Sequence, residues 1–184
     1  MAGAIVPPMR EIQDVDREVV NVEEKSMMDR GSELVISRVF DAPRELVWRT
    51  WTEPERLKLW WGPEGFTAPI AEMDLRVGGC YFSCMRSPEG QDYCSTGTFR
   101  EIIPEERLVL SDSFADEHGN VVSAEYYDMG ADLPLESLVT VTFKDEGDRT
   151  RMTLHYAGIP EGEQRMQAEV GWNQMFDKLA RSLM

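Results

Sequence analysis

Residues 161–183 read EGEQRMQAEVGWNQMFDKLARSL. Ala168, Trp172, Met175, Phe176, Leu179 and Leu183 recur there at steps of three and four, which places them on one face of a long α-helix. Gly171 lies in mid-helix at a cost of about 1 kcal/mol relative to alanine. A glycine there also lets a neighbouring backbone or ligand come close. A helix with one apolar stripe needs a broad apolar surface to bury it.

The preceding sequence supplies a sheet. Alternating, β-rich runs lie at 34–40, 66–77, 80–86, 93–103, 107–114, 135–144 and 150–156. Gly78-Gly79, 87–90, 104–106 and 145–148 punctuate them as turns, and the short spacing predicts an antiparallel meander. Two short helices follow the first strand. Asp41 is positioned to cap the first and Pro43 fits its first turn, while 52–55 opens the second, which ends at Trp60-Trp61-Gly62-Pro63. The fold class is therefore α+β: a curved antiparallel sheet gripping a long C-terminal helix, with a hollow between them suited to apolar ligands.

Composition agrees with one globular unit. The 184 residues are 42% hydrophobic and 29% charged. The formal net charge of −15 repels phosphate backbones and anionic lipid, which argues against nucleic-acid and membrane partners. No apolar run is long enough to span a bilayer. The apolar residues at 2–9 are broken by Pro7 and Pro8 and lack a basic flank, so a secretory signal is not expected and the cytoplasm is the expected compartment. Residues 1–31 read as an N-terminal extension, either a helix with Ile12, Val15, Val19 and Val22 on one stripe or an added strand, and 32–184 as the single domain.

Three cysteines, Cys80, Cys84 and Cys94, do not make a disulfide framework, and Cys80-x3-Cys84 lacks zinc-knuckle spacing. No metal is expected. If Arg86 faces Asp92 across the turn, Cys84 falls opposite Cys94; a one-residue slip would pair Cys84 with Tyr93 instead. Free thiols are expected in a reducing compartment, with Cys80, Phe82 and Cys84 on one apolar strand face.

Residues 111–136 interrupt the rhythm of the strands. They carry Asp112, Asp116, Glu117, Glu125, Asp128, Asp132 and Glu136 and no lysine or arginine, together with Tyr126, Tyr127 and Met129. A long acidic loop with aromatic residues inside it predicts a lid or a rim over one mouth of the hollow, unfavourable to anionic ligands.

Three ordered segments carry a resemblance. VISRVFDAPRELVWRTWTEPERLKLWWGPEGF at 35–66, TVTFKDEGDRTRMTLHYAGIPEGE at 140–163 and GWNQMFDKLARSL at 171–183 together resemble the START-like (SRPBCC) superfamily. Within it they are similar to the Activator of Hsp90 ATPase homologue 1-like family, over about 33–183. The resemblance implies the helix-grip fold with a cavity between sheet and helix. It also brings two functional alternatives, a polyketide cyclase-like enzyme and an Hsp90-type chaperone partner. In the eukaryotic cochaperone the related domain lies behind a separate chaperone-binding domain, for which 1–31 is too short.

The chemistry-bearing motifs are few. No Gly-x-Ser-x-Gly elbow, P-loop or His-Glu-x-x-His is present, so no catalytic residue and no cofactor is assigned. His155 is out of phase with Met152, Leu154 and Tyr156 and should face away from the core, and His118 sits in a turn. Glu72 and Asp74 read as solvent-facing. Aromatic, methionine and thiol groups are the stronger signal for a pocket lining. The expected ligand-binding set is Trp60, Trp61, Phe66, Met73, Phe82, Cys84, Phe114, Tyr126, Tyr127, Met129, Trp172, Met175 and Phe176. Non-catalytic binding of a small hydrophobic molecule is the expected function; a second copy of the chain and an Hsp90-type chaperone are the other partners considered.

Overall fold

A computed structural model describes residues 33–130 and 132–184. The extension read at 1–31 lies outside the described residues. Strand β1 (Glu33–Phe40) leads into helices α1 (Arg44–Thr52) and α2 (Pro54–Leu57). Strands β2 (Thr67–Met73), β3 (Cys80–Arg86), β4 (Asp92–Ile103), β5 (Arg107–Ala115), β6 (Ser137–Asp145) and β7 (Thr150–Ala157) follow, and helix α3 (Glu163–Ser182) closes the chain.

The seven strands form one sheet in the order β1-β7-β6-β5-β4-β3-β2, with every neighbour antiparallel. This is the expected meander with β1 added beside β7. Register shifts between Thr67 and Ile70 and between Phe99 and Glu101 mark bulges, which bend a strand and increase its twist. Gly97 permits a close strand crossing, since a Cβ there would overlap the Ser111 carbonyl and the Tyr81 ring.

One core fills the space between the concave face, α1 and α3. Phe176 and Leu179 of α3, Val47 of α1, Trp60, and Val141, Met152 and Leu154 of the sheet are completely buried. Each such side chain contributes roughly 1.5–3 kcal/mol by leaving water. Polar atoms inside this core find partners: the Trp60 indole donates to the Thr50 carbonyl at 3.0 Å, and the Thr150 hydroxyl to that of Ala42 at 2.8 Å, while among the described residues Arg44 Nε is buried without one.

Two local expectations are corrected. Asp41 does not cap α1: Pro43 occupies the cap position and no side chain bonds the first turn. Its carbonyl instead accepts from the amides of Leu46 and Val47. The second strand is shorter than read. It ends at Met73, where the backbone turns and the Asp74 amide bonds the Cys80 carbonyl, leaving Leu75 and Val77 exposed.

Candidate functional site

Between α3 and the concave sheet lies a hollow of about 590 Å³. Trp172, Met175, Ala168 and Gly171 of α3 form one wall, and Tyr93, Ser95, Asp112, Phe114, Ser137 and Tyr156 of the sheet form the other. Trp61 and Pro63 from the loop after α2, Met129, Leu133 and Pro134 from the connection after β5, and Ile159 complete the lining. A second hollow of about 40 Å³ adjoins it, bounded by Met73, Tyr81, Ser83 and Leu110 among others. Trp61, Asp112 and Trp172 border both.

Each wall is positioned by identifiable contacts. Lys178 of α3 donates from Nζ to the carbonyls of Gly62 and Phe66, at 2.8 and 2.9 Å, and so fixes the loop that presents Trp61. Burial pulls the Lys178 ammonium pKa down, partly countered by Glu64. The connection 116–136 is pinned by Tyr127, whose hydroxyl donates to the Ala115 carbonyl at 2.6 Å and accepts from the Cys94 amide at 3.0 Å. The same connection brings Gly130 against the Gln164 side chain of α3, so it forms an end wall of the hollow.

One polar constellation interrupts the apolar lining. Asp112 accepts from the hydroxyl of Tyr156 through Oδ2 at 2.6 Å and from that of Tyr81 through Oδ1. The three residues come from β7, β5 and β3. Ser95 of β4, whose hydroxyl lies 3.2 Å from that of Ser83, and Ser137 of β6 also line the hollow, so polar side chains reach this region from five adjacent strands. Burial pushes the Asp112 carboxyl up from its usual range, and the two tyrosine hydrogen bonds oppose that shift. Burial, then the neighbouring Asp112 charge, drives both phenols well above theirs, so they remain donors. By surface area Asp112 is only half-buried, which fits a carboxylate enclosed by protein yet open to the hollow.

The expected lining set divides. Trp61, Phe114, Met129, Trp172 and Met175 border the large hollow, and Met73 the small one. The others sit elsewhere. Trp60 and Phe176 are completely buried in the core. Phe82 and Cys84 occupy the opposite face of β3, in a separate cluster with Cys94, Ala115 and Ile70. Phe66 packs on Tyr93 with ring centroids 6.2 Å apart, Tyr127 holds the 116–136 connection from behind, and Tyr126 is exposed. Sequence reading missed Asp112, Tyr81 and Tyr156 as site groups. The available signal was parity: Asp112 shares its strand face with Leu108, Leu110 and Phe114.

The thiols are also corrected. Cys84 and Cys94 are opposite one another, in the register the turn implied, but they form a disulfide rather than a pair of free thiols. Cys80 is free and exposed instead of lining the hollow. Among the described residues no group of three or more His, Cys, Asp or Glu is placed to hold a metal ion. His155 faces outward, its Nδ1 2.9 Å from Glu33 Oε1.

The model of the family Activator of Hsp90 ATPase homolog 1-like protein matches residues 41–184. Among solved structures, a protein of Chromobacterium violaceum is 28% identical, with a TM-score of 0.69 over 83% of this chain and 96% of its own. A protein of Arthrobacter aurescens is 29% identical, with a TM-score of 0.68 over 84% and 87%. The AHSA1 protein of Silicibacter pomeroyi is 27% identical, with a TM-score of 0.66 over 83% and 97%. No curated protein matches the chain. The family model spans most of the sequence and these neighbours share its sheet-and-helix architecture, so the chain belongs to the Activator of Hsp90 ATPase homolog 1-like family.

Proposed function

We propose that the protein binds a small, largely hydrophobic molecule, without chemistry, in the hollow between the sheet and α3. The observation that carries this reading is the hollow itself. Its 590 Å³ falls within the range of small-molecule sites, roughly 300–1,000 Å³, and its lining is mainly aromatic, aliphatic and thioether. Native mass spectrometry of the purified protein tests it. A bound small molecule, lost on denaturation and competed by an apolar dye, is the expected result. A protein that carries nothing and binds no apolar dye would refute the reading.

A second reading, catalysis of polyketide-cyclase type, is favoured by Asp112, a carboxyl with a raised pKa inside a ligand-sized hollow. Against it, both carboxylate oxygens already accept a tyrosine hydrogen bond, which weakens them as bases. An Hsp90-type partner rests on the family's description alone, and a pull-down with the chaperone tests it.

Among the described residues no helix is long and apolar enough to cross a membrane. The cytoplasmic setting expected from sequence calls for Cys84 and Cys94 to be reduced there, whereas the disulfide fits an oxidising compartment. Trapping the cysteines by alkylation in intact cells separates the two.

A further inference from the structure

The charged groups bordering the hollow all have one sign. Asp112, Asp128 and Glu163 line it, and no lysine, arginine or histidine does so among the described residues. Asp112 lies deepest. Its hydrogen-bond partners are two neutral phenols, and no ion pair involves it among the described residues. An enclosed carboxylate without a cation is costly, because neutral donors do not replace the missing charge. Each of its oxygens has two acceptor positions, and the tyrosines use one on each. Trp61, Trp172, Tyr93 and Tyr156 line the same hollow, and Trp61 meets Trp172 edge to face at 5.7 Å.

We propose that the hollow selects apolar ligands bearing a protonated amine, whose N–H groups bond Asp112 while Trp61 and Trp172 flank the cation. This rests on the binding reading above and names the ligand class. A charge-assisted N–H···O⁻ bond is roughly twice as strong as a neutral one, and aromatic faces attract ammonium groups. The raised Asp112 pKa points the same way, since a bound ammonium supplies the positive charge the site lacks. A metal cation is a poorer occupant, because no cluster of three ligating side chains is present among the described residues.

The test uses three probes with the same ring system: 1-naphthylmethylamine, 1-naphthalenemethanol and 1-naphthoate, titrated calorimetrically into the full chain at neutral pH. The amine should bind about tenfold more tightly than the alcohol, and the carboxylate weakest. Asp112→Asn should bring amine and alcohol to within about twofold of each other. Glu117→Gln removes a charge from an exposed residue off the hollow and should leave the ratio unchanged. In wild type the preference should persist when salt is raised, because an enclosed charge is weakly screened; this arm requires no variant to fold. Binding without amine preference overturns the proposal and leaves the cavity reading standing. So does a preference that survives Asp112→Asn or vanishes with salt, which would assign it to the overall charge of −15. Failure of all three probes to bind overturns the cavity reading and this proposal with it.

Discussion

The indole of Trp172 stacks on that of Trp51, with ring centroids 6.2 Å apart and planes inclined by 13°. This contact joins α3 to α1 across the core, while other edges of Trp172 meet Trp61, Tyr156 and Phe176. Trp172 also borders both hollows. Trp172→Ala should destabilise the protein by about 3–5 kcal/mol. It should also enlarge the site and weaken the binding of apolar dyes. Urea unfolding and dye titration check the two outcomes, and a loss below about 1 kcal/mol would contradict the core role given to this ring.

Cys84 and Cys94 are ten positions apart, and their bond staples β3 to β4 beyond the hydrogen-bonded ladder. Closing a loop of that length restrains the unfolded chain by about 2–3 kcal/mol. Cys84→Ser/Cys94→Ser should therefore lower stability by that amount. Thiol titration of the denatured protein should find one reactive group, Cys80, before reduction and three after it.

Asp112 makes stability depend on pH with a definite sign. Its folded carboxyl is raised, so the unfolded chain ionises first as pH rises. Below the ordinary carboxylate range, about pH 4, both states hold the proton and there is no penalty. Above it, the unfolded state binds fewer protons and stability falls until the folded carboxyl also ionises. Asp112→Asn lacks this loss. The Tm of the variant minus that of wild type should therefore grow as pH rises above about 4, until the folded carboxyl ionises, on top of any constant offset from the new amide. Calorimetry across that range decides it, and a difference that shrinks with pH would reverse the assignment.

Gly171 lines the hollow from mid-helix, and a Cβ there would meet only the Pro63 ring, at an ordinary 3.8 Å. Gly171→Ala should stabilise the fold by about 0.5–1 kcal/mol through helix propensity. The added methyl should narrow the site and weaken binding of the larger apolar probes. Thermal unfolding and dye affinity are the paired measurements.

The α3 stripe and the spacing of turns were enough to read the architecture, because both are local: 3.6-residue and two-residue periods and glycine-rich turns are properties of neighbours in sequence. The β3–β4 register was narrowed to two choices for the same reason, since 87–91 is a short turn, and the structure adopts the one that sets Arg86 opposite Asp92. The lining of the hollow was only partly legible. Both faces of β3 carry apolar side chains, Tyr81 and Met85 on one and Phe82 and Cys84 on the other, so periodicity could not say which face looks inward. Likewise Trp60 and Trp61 are adjacent in sequence, yet one is completely buried and the other borders the site, a difference set by how the 61–66 loop is tied to Lys178.

By itself, then, the sequence determined the meander and the gripping helix, and offered the approach of Cys84 to Cys94 as one of two registers. Tertiary structure decided the chemistry of the hollow. Asp112 read as one more acid in a solvated run, and it became a half-buried acceptor only when curvature brought Tyr81 from β3 and Tyr156 from β7 onto it. The two hydrogen bonds join residues 31 and 44 positions apart, a separation at which spacing along the chain carries no information about distance in space.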